Sequence, residues 1–199
     1  MWKISEDIEE LSADVALKEM CNKRVGSMKS ELHRRAFLSV RKLMQEIGYT
    51  DFDMYYDEDG KPHLKDDKNI SITHSYNFAA IIVSDLPVGI DMEIRREKVV
   101  KIADKFIDRE FSYLDPAHLT DYVRKLIIIW GVKEALYKML SQPGLSFKQN
   151  INVHSFTPEE GSGTASVSFE NIDETFKFDF QEIEDFTLVY CLDHKHKEL

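Results

Sequence analysis

Asp91, Glu93 and Glu134 stand in two short segments whose spacing could gather carboxylates around a cation. The first segment reads Pro87-Val88-Gly89-Ile90-Asp91-Met92-Glu93-Ile94 and alternates with period two. A strand here puts Asp91 and Glu93 on one face and Ile90, Met92 and Ile94 on the other. The second, Trp130-Gly131-Val132-Lys133-Glu134-Ala135-Leu136-Tyr137-Lys138, has helical spacing, so Glu134 and Lys138 share a face and a third carboxylate lies beside two ammonium groups. Hard oxygen ligands in small number suit Mg2+, which keeps several waters and shares its shell with substrate phosphates, while lysines neutralise those phosphates. The pattern predicts a metal set of Asp91, Glu93 and Glu134 and a phosphorylated substrate. Each part has a plainer alternative. Glu134 and Lys138 could be a surface pair worth a few tenths of a kcal/mol, and alternating acids could be the wet face of an edge strand. Acids are poor strand formers, however, and two of them opposite an aliphatic face call for a ligand.

Helices and strands must position these groups, and periodicity outlines them. Glu6 to Met20 has helical spacing with Ser5 as its N-cap, and Lys29 to Ile47 is an amphipathic helix stopped by Gly48. Strands are expected at 53–56, 70–73, 78–84 and 88–94, forming one antiparallel sheet with a hairpin at its end. Helices follow over Val99–Leu114 and Leu119–Ser141, broken by Asp115-Pro116 and ended by Pro143-Gly144, and strands return at 151–154, 164–170, 176–183 and 186–192. Helices followed by strands thus occur twice, which predicts an α+β fold. Residues 78–85 and 186–193 share a leading Phe, a closing Asp and an apolar run between them, a trace of internal duplication. The expected lobes are residues 1–96 and 97–199, forming one compact unit.

Composition narrows the function. With 43% hydrophobic and 11% aromatic residues in 199, the chain can bury a sizeable core. No apolar run approaches the roughly 20 residues of a membrane span and the start lacks a signal-peptide core, so no membrane association and a cytoplasmic location are expected. Cys21 and Cys191 read as packed thiols. A net charge of -10 argues against general nucleic-acid binding. Yet Lys23, Arg24, Lys29, His33, Arg34, Arg35, Arg41 and Lys42 cluster in the first fifth of the chain, where an anion site and a merely solvated helix face are equally open readings. His63, His118, His154, His194 and His196 lack such context and read as structural or solvent-facing.

Four stretches in register, Gly60-Lys61-Pro62-His63-Leu64, Ser71-Ile72-Thr73-His74-Ser75, Gly89-Ile90-Asp91-Met92-Glu93 and the Trp130 to Lys138 run, make the chain resemble the 4'-phosphopantetheinyl transferases, in their longer single-chain type. The resemblance implies two similar α+β lobes about a pseudo-twofold axis, an active site in the cleft, and a monomer. It implies an enzyme that uses Mg2+ to move the 4'-phosphopantetheine group of coenzyme A onto a serine of an apo acyl or peptidyl carrier protein, with release of adenosine 3',5'-bisphosphate. Catalytic roles then fall to Glu134, Lys138 and Glu110, the last as general base with Asp108 as the alternative. Coenzyme A contacts fall to His74, Ser75, Lys61, Lys133 and Lys138, with Arg35 and Lys29 drawn from the basic cluster. Two rivals stay open: a non-catalytic module that binds coenzyme A or a carrier protein, and a Mg2+-dependent phosphohydrolase.

Overall fold

A computed structural model of the protein describes residues 1–194, so His196 lies outside the described residues. The chain forms two compact units, Met1–Asp85 and Leu86–Leu199.

The first unit builds on helix α3, Glu31–Glu46, which Ser30 caps by accepting a hydrogen bond from the His33 amide at 3.4 Å. Its apolar positions, Ala36, Phe37, Val40, Leu43 and Met44, are buried, and Gly48 turns the chain away with φ +87. The helix packs on a three-stranded antiparallel sheet ordered β1-β5-β4, from Trp2–Lys3, Phe78–Ser84 and Asn69–Ser75. β1 pairs with β5 through Trp2↔Ala79 and Lys3↔Phe78. A second ladder joins β2, Met54–Tyr56, to β3, Pro62–Leu64. β3 is short and begins with Pro, so alternation does not reveal it.

The helix expected over Glu6 to Met20 is two helices, α1 at Ile8–Ser12 and α2 at Glu19–Ser27. Ser5 is not the cap: Asp7 is, in a reciprocal box with Glu10. The break follows from Asp51, whose buried carboxylate accepts the Lys18 amide at 2.9 Å and the Arg41 guanidinium at 3.1 Å, pinning the chain where α2 starts.

The second unit lays helix α4, Leu119–Leu140, on a five-stranded antiparallel sheet ordered β6-β10-β9-β8-β7. Its strands are β6 at Val88–Ile94, β7 at Ile151–Val153, β8 at Ser162–Phe169, β9 at Ile172–Ile183 and β10 at Phe186–Leu192, with a one-turn helix α5 at Phe147–Asn150. β6 does not extend the first sheet. It pairs along its length with β10, from Val88↔Leu192 to Ile94↔Phe186, and so the boundary falls at 85/86 instead of 96/97. Main-chain hydrogen bonds decide which sheet owns the strand, and they outweigh its nearness in sequence to β5.

The helix expected over Val99–Leu114 is also replaced, by 3-10 turns at Glu97–Lys105 and Arg109–Ser112. Side chains have captured the backbone groups an α-helix would use. The Phe106 carbonyl accepts from the Lys133 ammonium at 2.7 Å and the Asp108 amide donates to Glu110 at 3.0 Å. The two segments that resemble one another in sequence take equivalent places, β5 under α3 in one unit and β10 under α4 in the other. Both units thus belong to the α+β class expected.

Candidate active site

Asp91 and Glu93 lie on the face of β6 that meets α4, because Gly89, two residues earlier, is pressed against that helix. A Cβ at Gly89 would stand 1.8 Å from the Ala135 carbonyl oxygen, and one at Gly131 would stand 2.7 Å from Val189 Cγ2 and 3.9 Å from Asp91 Oδ2. Two glycines therefore let helix and strand approach closely enough for α4 to hold its polar side chains over the strand. Asp91 is only 5% exposed, and its Oδ1 accepts from Lys138 Nζ at 2.7 Å. The same ammonium donates to the Ile90 carbonyl at 3.0 Å. Glu93 accepts from the Trp130 indole N–H at 3.2 Å. Glu134 lies half-buried on α4, one turn before Lys138.

Electrostatics tie the carboxylates together. Burial, then the charge of Asp91, push the Glu93 carboxyl up to about 7, with Glu134 adding to the rise and the Trp130 hydrogen bond and Lys138 opposing it. Burial and Asp91 raise Glu134 as well, against Lys138. Among the described residues no three His, Cys, Asp or Glu side chains stand together in a way that could hold a metal ion. The residue types are nevertheless those a hard divalent cation takes: carboxylate oxygens largely withdrawn from water, with burial and Asp91 raising the pKa of both glutamates and Lys138 offsetting only part of that rise.

Two residues assigned to the reaction lie elsewhere. Lys133, expected on coenzyme A, is fully buried: its ammonium donates to the carbonyls of Phe106, Phe147 and Ile151 at 2.7, 2.9 and 2.8 Å and pairs with Glu110 Oε1 at 2.6 Å. Glu110, expected as the base, borders a cleft of about 220 Å³ that Asp108, Arg109, Lys148 and Asn152 also line, yet it is only 1% exposed. Its Oε1 accepts the Val153 amide and its Oε2 the Asp108 amide, each at 3.0 Å. A carboxylate so buried, with both oxygens committed to main-chain amides, is out of reach of a partner's serine, and an ammonium with its three N–H groups spent has none left for a phosphate. Burial decides both corrections. Asp108, the alternative base, is exposed in that cleft lining.

The first unit carries the remaining assignments. His74 is exposed near the end of β4, with Ser75 beside it, and its ring centroid lies 6.5 Å from that of His33 on α3. His33, which in sequence is one member of the basic cluster, is the neighbour the fold supplies. Lys29 is exposed between α2 and α3. Arg35 is half-buried and donates to the Ile4 carbonyl at 3.1 Å. Burial lowers the pKa of Lys61, which is half-buried ahead of β3. The rest of the cluster divides: Arg41 is buried against Asp51, Arg24 covers the rings of Phe37 and Tyr56, and Lys42 reaches Asp14 at 3.4 Å.

Comparison with known proteins matches the unit that carries the acids. A family model described as ACPS, the 4'-phosphopantetheinyl transferase superfamily, covers residues 87–191. The chain is 31% identical over 86 residues to 4'-phosphopantetheinyl transferase gsp of Aneurinibacillus migulanus, a match covering 43% of this chain and 36% of that protein. It is 27% identical over 142 residues to the 4'-phosphopantetheinyl transferase of Bacillus subtilis, covering 69% and 61%. The chain thus spans less than two thirds of the length of either relative. Matched over more than half its length, through β6 with its two acids and α4 with its Lys-Glu pair, the chain belongs to the 4'-phosphopantetheinyl transferase superfamily.

Proposed function

We propose that the protein transfers the 4'-phosphopantetheine group of coenzyme A to a serine hydroxyl of an apo acyl or peptidyl carrier protein and releases adenosine 3',5'-bisphosphate. The observation that carries this is the geometry of α4 on β6: the Asp91 and Glu93 carboxylates share the strand face that meets the helix bearing Glu134 and Lys138, and Lys138 reaches Asp91 Oδ1 at 2.7 Å, inside the segment that matches the family. Those three carboxylates would hold Mg2+, which when bound supplies neutralising charge to the diphosphate. Lys138 adds its own positive charge at the same place. Trp130 orients Glu93, and the half-buried setting strengthens each of these interactions by keeping water scarce.

In the reaction the serine oxygen forms a bond to the phosphorus that carries the pantetheine arm. The bond from that phosphorus to the oxygen of the adenosine 3',5'-bisphosphate breaks, and the serine proton passes to a base. With Glu110 engaged in the interior, Asp108 is the acid of that segment we assign to the proton. His74, Ser75 and Lys61, with Lys29, Arg35 and now His33, are assigned to the phosphates of coenzyme A, which polar and cationic side chains recognise. A monomer acting in the cytoplasm belongs to the same reading. Among the described residues no helix is long and apolar enough to cross a membrane.

Incubation with coenzyme A, Mg2+ and apo carrier proteins, read by intact mass spectrometry of the carrier, tests the proposal. The expected result is a mass gain of one phosphopantetheinyl group on the carrier serine. Coenzyme A binding without a gain on fatty-acid, polyketide or peptide carriers would leave a binding module, and coenzyme A cleavage without a gain would leave a phosphohydrolase.

A further inference from the structure

We infer that Lys133 and Glu110 are positioning residues, whose buried ion pair holds the aromatic box that keeps the Trp130 indole N–H on the Glu93 carboxylate. This rests on the reading of Asp91, Glu93 and Glu134 as the metal-holding set and says what keeps one member in place. The carbonyls that receive the Lys133 ammonium belong to separate pieces of chain: Phe106 closes the first 3-10 turn, Phe147 opens α5 and Ile151 opens β7. Glu110 completes the ring by pairing with the same ammonium while accepting the amides of Asp108 and Val153. A buried ammonium is tolerated only when its donors are met, so none of these pieces can leave α4 without exposing an unpaired charge. The lysine therefore acts as a clamp.

Two of the clamped residues wall in Trp130. The rings of Phe106 and Phe147 meet the indole edge-on, with centroids 5.0 and 5.6 Å away and interplanar angles of 77° and 63°. Phe147 is held in turn by Tyr137, 5.6 Å from its ring. Trp130 and Lys133 are three apart on α4, so clamp and indole share one side of the helix. With two ring walls fixed, the indole has little freedom to rotate, and its N–H stays directed at Glu93 Oε1. The connection runs from the lysine to the two carbonyls it grips, through their own side chains to Trp130, and from Trp130 to Glu93.

The test uses the full chain in a Trp2→Phe background, which leaves Trp130 as its single tryptophan. In metal-free protein, Glu93→Gln is expected to shift Trp130 emission, and Lys133→Met is expected both to shift it and to abolish the further response to Glu93→Gln. Calorimetric Mg2+ affinity of folded Lys133→Met should fall at least ~10-fold, the usual effect of losing a group that orients a ligand. A lysine serving stability alone would lower Tm while leaving the emission response and the Mg2+ affinity at parent values, and that result overturns the inference. Should Lys133→Met not fold, Phe147→Leu decides by the same two readouts, since it keeps the gripped carbonyl and removes a wall of the box. A parent without any Mg2+ response, whose emission coupling between Lys133 and Glu93 is nonetheless intact, would sink the metal reading and leave the positioning inference standing.

Discussion

Helix α4 carries two acid–lysine partnerships that look alike in sequence and differ in their surroundings. In the first, Lys138 and Asp91 meet at 2.7 Å with side chains 30% and 6% exposed; in the second, Lys133 and Glu110 meet at 2.6 Å at 0% and 1%. The second is saturated, each of its charges meeting backbone partners inside the unit. The first stands beside two glutamates whose pKa burial and the Asp91 charge raise, and it is open to water on the lysine side. A charge pair complete in itself is scaffold, whereas one left with surplus charge at a half-open face has chemistry left to do.

Breaking the open site should produce the largest effect on function. Asp91→Ala, Glu93→Ala and Glu134→Ala are each expected to abolish transfer to the carrier, with Mg2+ affinity at least ~10-fold weaker. Melting temperature should hold in the Glu93 and Glu134 variants, because a carboxylate disfavoured by its neighbours is removed. Full transfer in all three would erase the distinction drawn between the two pairs.

Breaking the closed site should act on stability first. Lys133→Ala leaves an uncompensated buried carboxylate and should cost about 3–5 kcal/mol in urea unfolding, whereas Lys138→Ala, at a partly exposed pair, should cost about 1 kcal/mol or less. Equal losses would mean that the two environments are not as different as their exposure implies.

The proton acceptor sharpens the same comparison. Asp108→Asn is expected to lower the transfer rate roughly 100-fold with coenzyme A affinity near parental. Glu110→Gln is expected to lower stability and Mg2+ affinity together. If instead Glu110→Gln lost rate at unchanged stability and metal affinity, the base would return to Glu110.

The pH response of the open site has a definite sign. Glu93 titrates at about 7 in the fold against an ordinary 4.5, so between those values the folded state binds more proton than the unfolded one. Stability of the metal-free protein should therefore fall as pH rises through that window, by roughly 1–2 kcal/mol once partial exposure is allowed for. Glu93→Gln should flatten the trend, and Mg2+ affinity should rise with pH over the same range. Chemical unfolding at pH 4.5 and 7.5 measures the first; a slope unchanged in Glu93→Gln would place the titration elsewhere.

The smallest effect concerns the first unit. His74→Ala should weaken coenzyme A more than dephospho-coenzyme A, and raising the salt concentration should narrow the gap. Calorimetry on both ligands at two ionic strengths reads this, and parallel behaviour would remove the 3'-phosphate contact from His74.

How much of this was legible in the sequence follows from what each residue's role depends on. β6, β5 and β10 were readable because period-two alternation or a β-branched run persists over seven residues. The shared face of Asp91 and Glu93 on β6 and the one-turn spacing of Glu134 and Lys138 on α4 were readable because they need only spacing along one strand and one helix turn. β6's membership in the second sheet was not, since pairing with β10 joins residues nearly a hundred apart. Nor were the roles of Lys133 and Glu110: whether a lysine faces solvent or three carbonyls depends on segments at Phe106, Phe147 and Ile151 that no local pattern links. One signal was available. Lys133 is flanked by Val132 and lies three residues after Trp130 and three before Leu136, which puts it on the apolar side of α4, unlike Glu134 and Lys138. The break of the expected first helix at residues 13–18 was hidden for the same reason, since it depends on Asp51.

Calorimetric titration of Mg2+ into the parent protein and into Glu134→Gln, with coenzyme A present, tests the central claim most directly. One binding event in the parent, weakened at least ~10-fold in the variant at unchanged Tm, is the expected result. Equal affinity in both proteins would contradict the assignment of the α4 and β6 carboxylates as the cation site.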